Sequence, residues 1–378
     1  MKKIMFLTTG LSTGGAEKML YSLLSQINRA EFTPVVVSLI PGGTIGDRFQ
    51  DLSIPVHTIG LKAGAIPNPI QLIKLRKYVH QIQPDIIQGW MYHGNLAASL
   101  SRNFIDRKIP IFWSIHHSIK TLSAERLVLR NIIKIGIKFA PSCQQVIFVS
   151  QASKLQHEAL GYSQNNSCVI PNGFNLETFV PSLESQRQLR QELRLPSNAF
   201  LVGKFARYHP MKDHQNFLKA AALLNSKYSD VHFILAGTDI STNNSELTQL
   251  IQHLGINNQV HLLGERQDMA HLTAALDIAT VASAYGEAFP LVVGEAMSCQ
   301  VPCVVTDVGD AGEIVGNTGK VVPPQNPQAL ATAWQELIEL GTEGRGRLGI
   351  AARNRIIANF SLEKVVDQYE QLWRLSNK

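Results

Sequence analysis

The stretch Ile278–Thr306 reads IATVASAYGEAFPLVVGEAMSCQVPCVVT and contains the repeating unit from which the fold is predicted. It opens with the apolar run Ile278–Val281 and continues through a glycine-containing loop into an apolar segment of helical length. Proline is favoured in the first turn of a helix, so this helix is predicted to begin at Pro290. A second apolar run, Pro302–Thr306, follows the helix. Apolar runs on both sides of a helix are typical of buried parallel strands in βαβ units.

The same alternation extends along the whole chain and predicts an α/β protein with helices on both faces of parallel sheets. The pattern restarts near residue 200, after the proline-containing segment Pro171–Pro196, whose middle at 184–194 is polar and helical in character. This segment is the predicted linker, with the domain boundary between 175 and 198. Ligands of open parallel sheets bind outside the carboxyl ends of the strands, so functional residues are expected directly after each run. The other predicted strands are Ile4–Leu7, Pro34–Leu39, Ile86–Gln88, Ile111–Ile115, Val146–Val149, Leu201–Gly203, His232–Ala236 and Val260–Leu263.

Charge is distributed unevenly along the 378 residues, which carry a formal net charge of +6. Residues 1–180 hold 18 Lys and Arg against 9 Asp and Glu, whereas the remainder holds 17 against 20. This asymmetry predicts an anionic partner for the first half, and nucleic acid, an anionic membrane and phosphorylated substrates all fit it.

The cysteines and the apolar pattern predict where the protein works. Cys143, Cys168, Cys299 and Cys303 form no C-x-x-C pair, which argues against a zinc site or a disulfide framework and favours a reducing cytoplasm. The apolar run near the N-terminus is too short for the core of a signal peptide. We find no apolar stretch long enough to predict a membrane span.

Two motifs that follow strands could bind phosphate. Gly14 and Gly15 lie in the segment GLSTGGAE after the first strand, where a glycine loop and a helix N-terminus favour anions. A plain strand-to-helix turn explains this segment equally well. Arg207 and Lys212 follow the strand Leu201–Gly203, and two cations there can clamp a pyrophosphate. The alternative is a pair of solvated surface cations.

Two carboxylates surround the predicted helix start at Pro290. Glu287 lies in the loop and Glu295 about one turn into an otherwise apolar helix, where a carboxylate is costly unless it has partners. The two acids could accept hydrogen bonds from hydroxyl groups of a ribose and a sugar. Free N–H groups of the first helical turn could hold oxygens of the same ligand. Spacing alone leaves a structural explanation for both acids open.

His116 and a basic helix complete the candidate features. His116 follows the strand Ile111–Ile115 and could contact a phosphate or a sugar hydroxyl, although a histidine there is more often structural. Four cations repeat every four residues and form a positive stripe beside apolar positions. Like charges at this spacing repel one another along a helix, and an anionic membrane surface would relieve that repulsion. A solvated face of a packed helix is the alternative. The stripe comprises Arg126, Arg130, Lys134 and Lys138.

Together these segments resemble the retaining glycosyltransferases of family 4, which have the GT-B fold. The resemblance extends over nearly the whole chain, and Glu287 with Glu295 matches the E-x7-E signature of that family. Ala288 stands where the family often has glycine, a departure that would affect the choice of sugar. The motifs that carry the resemblance are Gly14-Gly15-Ala16-Glu17, His116, Val169–Gly173, Arg207 with Lys212, and Glu287 with Glu295.

The resemblance implies two Rossmann-like domains whose parallel sheets face an interdomain cleft. Residues 1–180 would bind the acceptor and residues 181–360 the nucleotide sugar, while a helix at 361–378 would return to the first domain. Arg207 and Lys212 would bind the donor diphosphate, Glu295 the ribose, and Glu287 the donor sugar. The remaining donor contacts would come from His116 near the transferred sugar, Gly14, Gly15, the backbone of Ala288, Phe289, Pro290 and Leu291, and Arg266 near the base.

The implied reaction moves a sugar from a nucleoside-diphosphate sugar to a saccharide or a lipid-linked saccharide with retention of configuration. The expected donor is a UDP-linked hexose or N-acetylhexosamine. No D-x-D sequence occurs, so a metal clamp on the diphosphate is not expected. The resemblance implies no other cofactor besides the nucleotide-sugar co-substrate. A nucleic-acid partner is not expected either. The protein would work in cell-surface polysaccharide synthesis, in the cytoplasm or on the inner membrane face. A sugar-nucleotide 2-epimerase on the same fold and a non-catalytic sugar-binding protein are the alternatives.

Overall fold

The apolar runs of the sequence form two parallel β-sheets, with helices between successive strands. The structure is a computed structural model that describes residues 1–12, 14–62, 64, 68–119 and 121–376. It divides into two compact units, residues 1–173 with 362–378 and residues 174–361. The sequence had predicted boundaries at 180/181 and 360/361. Two α/β units with parallel sheets confirm the predicted fold class.

The first unit contains a seven-stranded parallel sheet within its described residues, in the order β3-β2-β1-β4-β5-β6-β7. Its strands are β1 (Lys2–Thr8), β2 (Phe32–Ser38), β3 (Val56–Thr58), β4 (Ile86–Trp90), β5 (Ile111–Ile115), β6 (Gln145–Phe148) and β7 (Ser167–Val169). Its helices before residue 173 are α1 (Gly15–Gln26), α2 (Thr44–Asp51), α3 (Pro69–Ile82), α4 (Met91–Ser101), α5 (Leu127–Phe139) and α6 (Gln151–Ala159).

Both faces of the first sheet are buried, as continuous apolar strands require. Along β1, Ile4 and Phe6 contribute to one hydrophobic cluster, whereas Met5 and Leu7 contribute to a second cluster on the other face. All four side chains are fully buried. The central strands are therefore fixed by packing on two sides, and their carboxyl ends form a rigid edge.

The second unit contains a six-stranded parallel sheet within its described residues, in the order β10-β9-β8-β11-β12-β13. Its strands are β8 (Phe200–Phe205), β9 (Val231–Ala236), β10 (Val260–Leu262), β11 (Ile278–Val281), β12 (Cys303–Thr306) and β13 (Lys320–Val322). Its helices are α7 (Leu183–Glu192), α8 (His214–Asn225), α9 (Ser245–His253), α10 (Met269–Ala274), α11 (Leu291–Ser298), α12 (Ala311–Val315), α13 (Pro327–Glu339) and α14 (Gly341–Asn359).

The last helix, α15 (Leu362–Leu375), belongs to the first unit. Trp373 is fully buried, and its indole N–H donates to Gln88 Oε1 on β4 at 3.2 Å. Tyr369 shares a hydrogen bond of 3.1 Å with Ser114 on β5. The helix therefore covers the Phe6 face of the first sheet.

Three strands lie outside the ten predicted runs, namely β3, β7 and β13. Each is three residues long, only partly buried, and at the edge of its sheet. An edge strand is not buried on all sides, so it does not need the continuous apolar run that marks a central strand. In the described part of the chain, no helix combines the length and the apolarity needed to cross a lipid bilayer.

Candidate active site

The carboxyl edge of the second sheet brings the predicted cation Lys212 and the acid Glu287 together. Lys212 lies in the loop after β8 and Glu287 in the loop after β11, and these two strands are neighbours in the sheet. The backbone N–H of Ala284 donates to the carbonyl of Met211 at 2.9 Å, which ties the two loops to each other. Residues 75 positions apart in the sequence thereby meet at one point.

Lys212 and Glu287 form a largely buried ion pair. The Lys212 ammonium donates to Glu287 Oε1, which also accepts the hydroxyl of Ser283 at 2.6 Å. The side chains of Lys212 and Glu287 are 21% and 9% exposed. Burying a carboxylate is costly unless it is paired and hydrogen-bonded, and both conditions hold here. The arrangement presents a cation next to a hydrogen-bond acceptor at the end of the sheet.

Two glycines allow the loop of Glu287 to adopt its path. Gly286 has a φ of +77°, and a Cβ there would lie 2.7 Å from the Met211 sulfur. Gly309, after β12, has a φ of +60°, and a Cβ there would lie 2.1 Å from the carbonyl oxygen of Glu287. Side chains are disfavoured at both positions by backbone conformation and by contact. Glu287 is therefore held between the loops that follow β8 and β12, the two strands on either side of β11.

Helix α11 begins at Leu291, one residue later than predicted, with Pro290 as its N-cap at a φ of −69°. Ala288, Phe289 and Pro290 are buried immediately before it. The Phe289 ring packs against Phe174 and Phe360, with centroid distances of 6.1 and 5.6 Å. The first N–H groups of a helix have no intrahelical partner and favour anions. Packing of Phe289 thus fixes the position of these donors.

Glu295 lies in the second turn of α11 and is partly exposed. Its helix lies close to Phe174 at Gly294, where a Cβ would lie 2.1 Å from the Phe174 ring. The E-x7-E pair therefore belongs to a single βα unit, with one acid in the loop and the other on the helix.

Arg207 extends from the loop after β8 into solvent. It is exposed, and its side chain makes no ion pair or hydrogen bond with the described residues. The loop itself is well held, because the Tyr208 N–H donates to the Thr238 carbonyl at 2.8 Å. A Cβ on Gly237 (φ +145°) would lie 2.4 Å from the Ala206 carbonyl. The guanidinium group is therefore uncompensated on a fixed backbone.

Arg266, predicted near the base, is instead engaged with two acids. Its guanidinium donates to both oxygens of Asp268, at 2.8 and 2.7 Å, and to Glu192 at 2.6 Å. These bonds, that to Asp268 foremost, hold the pKa of Arg266 above its usual range. The side chain links the loop after β10 to α7.

At the carboxyl edge of the first sheet, Trp90 connects the glycine loop to His116. The Trp90 indole N–H donates to the Ala16 carbonyl in α1 at 2.8 Å. Its ring lies 4.4 Å from the His116 ring, centroid to centroid. His116 Nδ1 lies 3.2 Å from Asn172 Oδ1. The sequence did not single out Trp90 as functional, and Asn172 was noted only as part of Val169–Gly173.

Burial keeps the His116 imidazole neutral. It lowers the pKa of His116 to about 3, against an opposing contribution from the Asn172 hydrogen bond. With Nδ1–H donating to Asn172, Nε2 carries a lone pair and acts as an acceptor. Nε2 is thus a buried acceptor without a partner among the described residues.

Gly14 and Gly15 start helix α1, with Gly14 as the N-cap. The Glu17 carboxylate folds back over this N-terminus, and a Cβ on Gly14 would lie 2.1 Å from Glu17 Oε2. Burial raises the pKa of Glu17, and a hydrogen bond from its own backbone N–H opposes that shift. An anion that binds here has to displace this carboxylate.

Models of known protein families match both halves of the chain. Residues 185–355 match the model of the glycosyl transferases group 1, and residues 13–178 match that of glycosyltransferase family 4. The two models together cover most of the chain. The protein therefore belongs to the family 4, or group 1, glycosyltransferases, a family of sugar-transferring enzymes.

Two curated relatives are each 25% identical to this chain over the aligned residues. One is the N-acetyl-alpha-D-glucosaminyl L-malate synthase of Bacillus anthracis, aligned over 74% of this chain and 71% of that protein. The other is the UDP-Gal:alpha-D-GlcNAc-diphosphoundecaprenol alpha-1,3-galactosyltransferase of Escherichia coli, aligned over 84% and 82%. The crystal structure of Anabaena HepE in complex with UDP and glucose is 25% identical, with a TM-score of 0.86 over 99% of this chain and 100% of that one. The fold is GT-B.

Proposed function

We propose that this enzyme transfers a sugar from a nucleoside diphosphate to a hydroxyl group of a saccharide or lipid-linked saccharide, with retention of configuration. The proposal rests on the Lys212–Glu287 ion pair at the carboxyl edge of the second sheet, in a chain whose family transfers sugars. The donor is a UDP-linked hexose or N-acetylhexosamine. This choice is supported by the UDP-Gal donor in one relative's name and by the UDP complex of HepE.

The second unit binds the donor. Arg207, which is exposed and uncompensated, and Lys212 contact the diphosphate, together with N–H groups at the start of α11. Glu295 accepts hydrogen bonds from the ribose. Because Glu287 Oε1 is taken by Lys212 and Ser283, its second oxygen is the one that meets the sugar.

Catalysis is electrostatic. The transition state has oxocarbenium character and a departing diphosphate, so positive charge at the leaving group lowers the barrier. Lys212, Arg207 and the α11 N-terminus supply this charge without a metal ion. No protein nucleophile is assigned; the leaving phosphate assists the acceptor hydroxyl on the same face of the sugar.

The first unit binds the acceptor. The unpartnered Nε2 of His116 accepts a hydrogen bond from a sugar hydroxyl. Gly14 and Gly15 approach a phosphate once Glu17 has moved away from the α1 N-terminus.

The proposal is tested by thermal unfolding with a series of nucleotide sugars, followed by transfer assays with the donor that stabilises the protein most. Stabilisation by a UDP-sugar and an α-configured product from an α-linked donor, read by NMR, are expected. A product of inverted configuration would contradict retention. Epimer formation without acceptor would favour an epimerase, and donor binding without transfer would favour a sugar-binding protein.

We further propose a lipid-linked acceptor at the inner membrane face, in cell-surface polysaccharide synthesis, with helix α5 on the membrane. Leu127, Val128 and Ile135 are 65%, 50% and 45% exposed on this helix. Lys134 and Lys138 are exposed on the same helix, and Arg126 is exposed as its N-cap. Exposed apolar side chains among cations suit an anionic lipid surface.

Vesicle sedimentation tests this surface. The wild type should bind vesicles with phosphatidylglycerol at low salt and release them at high salt, and Lys134→Gln/Lys138→Gln should bind less. Lys219→Gln/Lys227→Gln removes the same charge from exposed positions of the second unit and should bind as the wild type does. Equal binding by both double variants would contradict the role of α5.

A further inference from the structure

We infer that Lys204 is a positioning residue of the donor site, which holds the Pro210–Lys212 turn so that the Lys212 ammonium meets the donor diphosphate. The inference rests on the proposed function, because it takes the second unit to bind a nucleoside diphosphate. No sequence motif points to this lysine, since it lies within an apolar strand.

Lys204 lies near the end of β8 and is 2% exposed. Its ammonium donates to the carbonyl oxygen of Lys212 at 2.5 Å. The same nitrogen lies 5.9 Å from the centre of the Phe217 ring on α8. Lys204 forms no ion pair with any described residue, so its charge is buried against a backbone carbonyl and an aromatic ring.

The charged and titratable groups around Lys204 leave it poorly compensated. Burial, and after it repulsion by Lys212, lower the pKa of Lys204 to about 7, while Glu287 and Asp213 oppose this shift more weakly. His214, at the start of α8, is itself buried, and burial and then Lys204 lower its pKa to about 2, so it stays neutral. Glu287 is paired with Lys212 and not with Lys204.

A buried lysine without a carboxylate partner destabilises a fold, and core packing alone does not account for one here. Val202, two residues earlier on the same face of β8, is an ordinary fully buried core residue. What the lysine adds is a charge-assisted hydrogen bond to the backbone of Lys212. This bond fixes where the Lys212 side chain begins.

The experiment measures the dissociation constant for UDP by titration calorimetry, and Tm, in five proteins. These are the wild type, Lys204→Met, Lys212→Met, the double variant and the core control Val202→Ala. Lys204→Met should weaken UDP binding at least about tenfold, the scale of a lost hydrogen bond to a charged group, with an unchanged or higher Tm. Because Lys204 acts through Lys212, the double variant should bind UDP within about twofold of Lys212→Met alone.

Other outcomes overturn the inference. Wild-type affinity in Lys204→Met, with a Tm lowered as in Val202→Ala, would make the lysine purely structural. If the double variant weakened UDP binding by the product of the two single-variant factors, the Lys204 charge would act on UDP directly. Val202→Ala should lower Tm and leave UDP affinity unchanged. Failure of the wild type to bind UDP, ADP or GDP would instead refute the proposed donor site.

Discussion

Replacing Lys212 by methionine removes the ammonium group that pairs with Glu287 and retains the apolar stem. The Glu287 side chain is 9% exposed, so the variant leaves a nearly buried carboxylate with the Ser283 hydrogen bond at 2.6 Å. Removing one partner of a buried ion pair costs about 3–5 kcal/mol, and the 21% exposure of Lys212 places this case near 3 kcal/mol. In a unit of this size, that loss lowers Tm by about 6–12 °C.

Turnover should fall independently, by about 10²–10³-fold, because a cation that stabilises the departing diphosphate is lost. The double variant Lys212→Met/Glu287→Gln separates the two effects. It removes both charges, so Tm should recover towards the wild-type value while turnover remains low. Lys219→Met, at an exposed position of the same unit, should change neither quantity. Calorimetric unfolding and steady-state sugar transfer provide the readouts.

Two results would refute this reasoning. Turnover of Lys212→Met within about threefold of the wild type would exclude a leaving-group role of the size given above. An unchanged Tm in the same variant would mean that the Glu287 carboxylate does not depend on Lys212 for its burial.

Four further predictions concern other residues of the site. Arg207→Ala should lower turnover by about two orders of magnitude with an unchanged Tm, because the exposed guanidinium has no partner to lose; a changed Tm in thermal unfolding would contradict this. Glu295→Ala should weaken UDP binding by calorimetry about tenfold or more, through lost hydrogen bonds to the ribose, and equal affinity would exclude that contact. Burial lowers the pKa of His116 to about 3 in the folded protein, whereas the imidazole of the unfolded chain has a pKa of about 6.5. As pH falls below about 6.5, the unfolded state therefore binds a proton that the folded state does not, and the free energy of unfolding decreases. His116→Gln should make this acid slope of the unfolding free energy shallower, and an unchanged slope would count against a buried neutral imidazole. Sugar transfer should survive EDTA, since Arg207 and Lys212 supply the charge at the diphosphate; loss of activity restored by Mg²⁺ or Mn²⁺ would contradict this.

The sequence determined the central strands, because a strand buried on both faces must be apolar along its whole length. All ten predicted runs, among them Ile278–Val281 and Ile111–Ile115, coincide with strands to within a residue or two at each end. Edge strands are under no such constraint, so β3, β7 and β13 carried no comparable signal. Helix α7 was likewise indicated by the polar, helical pattern at 184–194.

Placement of Arg207, Lys212 and Glu287 after strands was also readable from sequence, because parallel strands present their carboxyl ends at one edge. The residues with which these side chains pair could not be predicted from sequence. The contact of Arg266 with Glu192 joins residues 74 positions apart, and that of Lys212 with Glu287 joins residues 75 apart. Local patterns carry the period of a strand or helix but no information on which distant loop packs beside it.

The buried polar groups depended on the tertiary structure alone. In the sequence, Lys204 is a single polar residue in an otherwise apolar strand, and no motif assigns it a role. Only the tertiary structure shows that its ammonium binds the Lys212 carbonyl. Trp90 reads as a core residue until its contacts with Ala16 and His116 are seen. Sequence determined which segments form strands and which loops carry charge. The packing of those loops decided which charges are paired, because burial and ion pairing arise between segments and not within them.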